Sequence, residues 1–297
     1  MRIRRRWGYL LFGMCLFLGI GSAYLWLQRP EVRGPAEIFH GVTYEVQAVP
    51  ETEGSSGLAH IVRVDLSAAG VEPFVTPVDS SAVERGYQYR LAYPWWIARR
   101  EGLAVTINGA HFDRNGRWYW PGQQVNSRHT AVADGAVSHV SRHSRLLWID
   151  DEGRPRIDPN LQPPGDVLQR ARWGIGSGDI MLRDGRPRPT THGAVDRRTL
   201  LGVDTERRLL WLAVFEHASY KAATEVLAEA GARDGIILDG GGSTAMYIGP
   251  KAAGNVGGHV LGGWRPVATH VGIRAHPVKR STAQQSTSAA GTTEKTP

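Results

Sequence analysis

Ile236-Ile237-Leu238-Asp239-Gly240-Gly241-Gly242-Ser243-Thr244, IILDGGGST, ends an apolar run on one carboxylate and then places three residues that can bury nothing. Ile236 to Leu238 has the length and β-branching of a buried strand. Asp239 therefore falls at a strand's C-terminal end, where α/β sheets present ligand-binding groups. Glycine loses more backbone entropy on folding than any other residue, so three in a row imply a tight turn or backbone brought against a ligand. Successive bare amides can form an anion-binding nest, and Ser243 and Thr244 add hydroxyls; a sharp turn with a capping acid is the plainer alternative.

Working outward, Leu209 to Phe215 is an apolar run of strand length, and Ser219 can cap a helix in which Ala222, Val226, Leu227 and Ala230 recur at helical spacing before Gly231 closes it. Strand, helix, strand and glycine turn follow one another, as in a parallel crossover. Strand patterns dominate elsewhere: Thr43 to Val49, Ala59 to Leu66, Leu103 to Ile107 and Leu146 to Ile149. The expectation is a single α+β domain around a mixed sheet, over residues 41–276. Residues 29–40, with Pro30, Gly34 and Pro35, read as a linker, and residues 277–297, rich in Ser, Thr, Ala, Gln and Lys, as a disordered tail.

Charge and hydropathy organise the ends. The 297 residues carry a formal charge of +7. Arg2, Arg4, Arg5, Arg6 and Arg29 supply five of those charges and Lys279, Arg280 and Lys295 against Glu294 supply two, so residues 30–276 are neutral. A neutral body lacks the basic footprint of a nucleic-acid binder. After the basic flank, residues 1–6, the chain runs uncharged from Trp7 to Gln28, close to the ~20 apolar residues that span a bilayer. This segment reads as an uncleaved transmembrane signal-anchor with the N-terminus in the cytoplasm and residues 29–297 exported; Gly21-Ser22-Ala23 offers a signal peptidase the alternative of cleavage. The one cysteine, Cys15, lies inside it, so the remainder holds neither a disulfide nor a thiolate metal site.

Four further stretches share the character of the first: TINGAHF (Thr106 to Phe112), GSGDIMLRDG (Gly176 to Gly185), DRRTLLGVD (Asp196 to Asp204) and GGWRPVATHVGI (Gly262 to Ile273). Together the five resemble, in order and spacing over residues 41–276, the phosphodiester glycosidase family of the lysosomal uncovering enzyme. Ala110-His111 departs from the Gly-aromatic pair more usual there, and FEHAS (Phe215 to Ser219) replaces an Asp-Gly turn. The resemblance implies a hydrolase that splits a sugar from a phosphodiester at its anomeric carbon and releases a phosphomonoester.

That chemistry assigns expected roles. A phosphomonoester leaves with little acid help, since its second pKa is about 6; it needs cations and N–H donors. Arg198 can grip phosphate oxygens bidentately, with Thr199, Arg265, Gly240, Gly241, Gly242, Ser243 and Thr244 beside it. Asn108, Gly109 and His192 are further substrate-binding candidates. The anomeric carbon wants a carboxylate, for which Asp239 is the first candidate and Glu216 the second, with His111 as proton carrier. An ionised Asp239 would repel a phosphate, so it can instead bind sugar hydroxyls or a divalent cation; otherwise no cofactor is called for. Arg197 is expected to face solvent. Trp95, Trp96, Trp118, Trp120 and Trp264 read as core, although RWYWPG (Arg117 to Gly122) would also serve as a stacking platform for a sugar.

Two other functions fit parts of the pattern. A non-catalytic module binding an anionic envelope glycan would keep the glycines and the arginine without needing Asp239. A metal-dependent phosphodiesterase would cut P–O, and wants clustered His and Asp. The only H-x-x-x-H, His139 and His143, reads as loop or strand, where the two rings would stand roughly 13 Å apart.

Overall fold

In the computed structural model, residues 33–113, 115–116, 118–189 and 194–278 are described, and those from Gly34 onward form one unit. Its spine is Leu209–Ala218, a strand whose unbroken apolar run is explained by burial on both faces. Leu210, Leu212 and Val214 enter one core while Trp211, Ala213 and Phe215 enter another. It pairs antiparallel with Ser56–Asp65 on one side and Asp196–Asp204 on the other. The full eight-stranded sheet runs Arg33–Phe39, Val42–Ala48, Ser56–Asp65, Leu209–Ala218, Asp196–Asp204, Asp234–Ile237, Ile180–Arg183, Arg186–Pro187.

One face of this sheet is covered by the helix Tyr220–Glu229. Ser219 caps it, accepting from Ala222 N at 3.1 Å, and Ala222, Ala223, Val226 and Leu227 are buried beneath it. The strand-helix-strand unit is thus present. Leu209–Ala218 and Asp234–Ile237 run parallel to each other, but they flank Asp196–Asp204 and each pairs with it antiparallel.

The other face packs against two five-stranded sheets, with order Gly258–Gly262, Ala245–Ile248, Val105–Asn108, His270–Arg274, Glu72–Val75 and order Pro155–Asp158, Arg145–Ile149, Trp173–Ser177, Ala131–Ala133, Ala136–Val137. Asp234–Ile237 lies in the large sheet and Ala245–Ile248 in the first small one, so the glycine stretch is where the chain passes from one sheet to the other.

The expected linker is corrected in part: Arg33–Phe39 is a strand, with Ile38 and Phe39 buried. It lies at the sheet's edge, where Pro35 removes no ladder bond that a central strand would need. Pro277, the first residue of the expected tail, still bridges Phe39, and residues 279–297 lie outside the described residues. The apolar segment Trp7–Gln28 lies outside the described residues; among these, no helix is long and apolar enough to cross a membrane.

Candidate active site

The two sheets meet at Asn108, which is fully buried. Its Oδ1 accepts from Thr199 Oγ1 at 2.8 Å and from Ala245 N at 3.0 Å, and its Nδ2 donates to the Asp239 carbonyl at 2.6 Å. One amide thereby joins Val105–Asn108, Asp196–Asp204 and both ends of the glycine stretch. Thr199 and Thr244 are also fully buried and lie 3.3 Å apart. These three, anticipated as substrate contacts, are instead braces beneath the site, because their polar atoms are saturated within the protein. Gly109 belongs to the same layer: its N–H donates to Thr269 O at 2.7 Å, and its carbonyl accepts from Asp239 N at 3.1 Å.

Above this layer stands Asp239, with 19% of its side chain exposed. Oδ1 accepts from Gly240 N at 2.9 Å and lies 3.6 Å from His111 Nε2. Gly241–Ser243 forms a single 3₁₀ turn. Ser243 N and Thr244 N close it onto Gly240 O and Gly241 O, leaving the Gly241 and Gly242 amides at the open N-terminal end, where such a turn supplies no internal acceptor.

Two arginines flank the turn. Arg198 is only 6% exposed. Its Nη2 donates to the Ala194 carbonyl, its guanidinium lies 4.0 Å over the Tyr220 ring, and Nη1 is 3.5 Å from where a Cβ on Gly240 would stand. Its Nε has no hydrogen-bond partner. Arg265 comes from the other side, donating to Ser243 Oγ at 3.4 Å and lying 4.7 Å over the Tyr119 ring. Among the described residues neither arginine forms an ion pair. Arg197 is exposed, as anticipated.

On His111, whose Nε2 lies 3.6 Å from Asp239, opens a small cavity of ≈ 150 Å³ lined also by His129, Gly178, Asp179, Met181, Tyr220 and Ile237. His129 had no signal in the sequence marking it out, and Asp179, although it stands in the stretch GSGDIMLRDG, was not singled out as a site residue. They arrive through tertiary pairing: Arg128 N donates to His111 O, and Ile237 N donates to Asp179 O at 3.4 Å.

The remaining expected residues are dispersed. Glu216 stands on the strand beyond Asp196–Asp204, accepting from Leu58 N at 3.0 Å and lying 4.0 Å from the buried His60 Nε2. His192 lies outside the described residues. His139 and His143 are in a loop, and among the described residues no group of three His, Cys, Asp or Glu side chains is placed to hold a metal ion. The tryptophans are corrected: Trp96, Trp118, Trp120 and Trp264 are 45%, 64%, 66% and 79% exposed, and only Trp95 packs against a core cluster. Trp118, Trp120 and Trp264 sit in loops that have no second layer to cover them.

The family model for phosphodiester glycosidases matches residues 101–274, and the chain belongs to that family. It is therefore a hydrolase acting on sugar phosphodiesters. In structure it is similar to the zebrafish N-acetylglucosamine-1-phosphodiester alpha-N-acetylglucosaminidase catalytic domain auto-inhibited by its pro-peptide, at 17% identity and TM-score 0.57, covering 84% of this chain and 87% of that one. A hypothetical protein from Synechocystis is similar at 15% identity and TM-score 0.53, covering 84% of this chain and 64% of that one. No curated protein matches the sequence.

Proposed function

We propose that the chain cleaves the glycosidic C–O bond of a sugar 1-phosphodiester in an envelope or extracellular glycan, exported and held at the membrane by Trp7–Gln28. The observation that carries this reading is Arg198. A guanidinium that is almost entirely buried and has no acidic partner among the described residues is expensive to maintain, and its placement beside Gly240 offers that charge to an anion resting on the turn. Arg265 and the Gly241 and Gly242 amides complete an anion cradle.

In this reading the phosphate rests between the two arginines while water attacks the anomeric carbon. The C–O bond breaks, the electron pair leaves with the phosphomonoester, and the water proton passes to Asp239 or His111. Asp239 acts either as the base that positions this water or as a nucleophile that first takes the sugar as a glycosyl ester, which the water then hydrolyses. Its Oδ1 accepts from Gly240 N–H and lies 3.6 Å from His111 Nε2, which supports a role shared with that histidine toward the sugar. The reading needs no cofactor. Glu216 is the second carboxylate to test.

Incubation of the soluble domain with a sugar 1-phosphodiester in ¹⁸O-water tests it. Label in the sugar is expected; label in the phosphate would establish a phosphodiesterase, and binding without turnover a glycan-binding module. A cytoplasm-only reporter fused after Pro297 should stay silent if the domain is exported.

A further inference from the structure

His129 has no part in the phosphate cradle, yet its ring is fixed with unusual definiteness. The residue is 8% exposed, and Nδ1 lies 3.1 Å from the His143 carbonyl oxygen. A carbonyl oxygen only accepts, so Nδ1 carries the ring proton and the neutral imidazole presents Nε2 as a bare acceptor. Burial, reinforced by the neighbouring His111, pushes its pKa down to about 4, which keeps the ring neutral at physiological pH.

The ring borders the cavity that His111, 3.6 Å from Asp239, also lines. Its Cε1, adjacent to Nε2, lies 3.7 Å from where a Cβ on Gly178 would stand, so the lack of a side chain at Gly178 leaves that ring edge open. Among the described residues nothing donates to Nε2. Its neighbour across the cavity is His111, whose ring centroid is 5.8 Å away and whose Nε2 reaches Asp239. Asp179 is exposed at the same cavity, and a carboxylate also only accepts. Its carbonyl accepts from Ile237 N at 3.4 Å, two residues before Asp239 in the chain.

We propose that this cavity is the sugar subsite, in which His129 Nε2 accepts a hydrogen bond from a sugar hydroxyl, so that the enzyme selects a neutral, hydroxyl-bearing ring and rejects one with a carboxylate there. This rests on the glycosidase reading above. A lining of acceptors is complementary to donors: a hydroxyl satisfies His129, whereas a uronate meets the charge of Asp179 and a nitrogen lone pair with no proton to give. A site built to bond a hydroxyl also penalises the analogue that lacks it, because the buried acceptor is then unpaired.

The test uses the 4-nitrophenyl diester of glucose 1-phosphate, its singly deoxygenated analogues at C2, C3, C4 and C6, and the glucuronic acid counterpart. In the wild type, removal of one particular hydroxyl should lower kcat/KM by about tenfold, the worth of one hydrogen bond to a buried partner. That penalty should vanish in His129→Phe and persist in His129→Gln, whose amide oxygen can accept in place of Nε2. The glucuronate diester should be the poorer substrate, and Asp179→Asn should narrow the gap. Identical penalties in the wild type and His129→Phe would overturn the subsite while leaving the glycosidase intact; inactivity of the wild type on every diester would overturn both. Should His129→Phe not fold, the wild-type panel decides alone, since equal rates on all deoxy analogues exclude such a contact.

Discussion

Replacing Gly242 with alanine should disable Arg265 without touching it. An ideal Cβ at Gly242 would stand 2.3 Å from Arg265 Nη2 and 2.5 Å from Cζ, far inside contact distance, so the guanidinium must leave the turn. The backbone itself tolerates the change, because Gly242 is not among the glycines at positive φ. Loss of a half-buried cation–π contact, about 0.5–2 kcal/mol, is offset in part by about 0.4–1 kcal/mol from the stiffer unfolded chain, so Tm should fall by a few degrees at most. Function is different: a charge-assisted hydrogen bond to a phosphate is worth about 1.5–3 kcal/mol, a fall of about 10- to 150-fold in kcat/KM. Arg265→Ala should show the same fall, and the double variant should be no worse than either single one, since both remove one interaction. Kinetics on a sugar 1-phosphodiester and thermal melting of the three variants make the measurement. A folded Gly242→Ala enzyme within twofold of wild type, or a double variant that loses the product of the two single effects, would refute the placement of Arg265 in the cradle.

Asp239→Asn keeps shape and removes charge, so turnover should fall by orders of magnitude with KM unchanged or lower; near-normal turnover in a folded variant would transfer the role to Glu216. Arg198→Ala should weaken binding and turnover together, and Arg198→Lys should restore only part, lacking the bidentate fork; full activity in the lysine variant would remove the bidentate argument. A chelator should leave turnover unchanged, and a loss restored by added divalent cation would place a metal at Asp239. His129 and His270 each have a pKa pushed by burial from 6.5 to about 4. The unfolded chain therefore takes up these protons first as pH falls, and stability that is full above pH 6.5 drains away toward pH 4. The urea midpoint should drop between pH 7.5 and 4.5, less so in His270→Gln, and equal drops in the two proteins would show that His270 is not responsible.

Much of the frame is legible in the chain because its signals are local. Leu209 to Phe215 is apolar throughout, and a strand buried on both faces must be. Ser219 stands where a cap belongs and caps the helix. What escapes the sequence is which way a polar residue points once two sheets close on each other. Asn108-Gly109 after a strand looks alike whether it meets substrate or neighbouring backbone; only the pairing of Val105–Asn108 with Ala245–Ile248 and His270–Arg274 buries it. His129 lies in a loop of ordinary composition, and its position beside His111 comes from the bridge between Phe112 and Ser127, a contact without local periodicity. Arg33–Phe39 passes for a linker because glycine and proline punctuate it, although an edge position tolerates both. The exposed tryptophans mislead for the converse reason: aromatic residues are read as core by default, and a loop has no second layer to bury them.

The three glycines that open the question turn out to have three separate causes, and this bears on whether the turn is merely a turn. Gly241 has φ +58°, a conformation that L side chains rarely adopt, and a Cβ there would meet Asp196 Oδ2 at 3.1 Å. A tight connection between two sheets accounts for that one. Gly240 and Gly242 have no such backbone need. A Cβ on Gly240 would come within 3.0 Å of the Arg197 carbonyl and within 3.5 Å of Arg198 Nη1, and one on Gly242 would displace Arg265. Gly240 lets the turn pass close to the Arg197 backbone, and Gly242 keeps side-chain carbon away from the Arg265 guanidinium. A connection that served only to carry the chain from Ile237 to Ala245 would have no use for glycine at position 242, nor for two arginines without acidic partners among the described residues. The same pair is what a bound phosphate would require, with bare amides between two cations and one carboxylate set just before them.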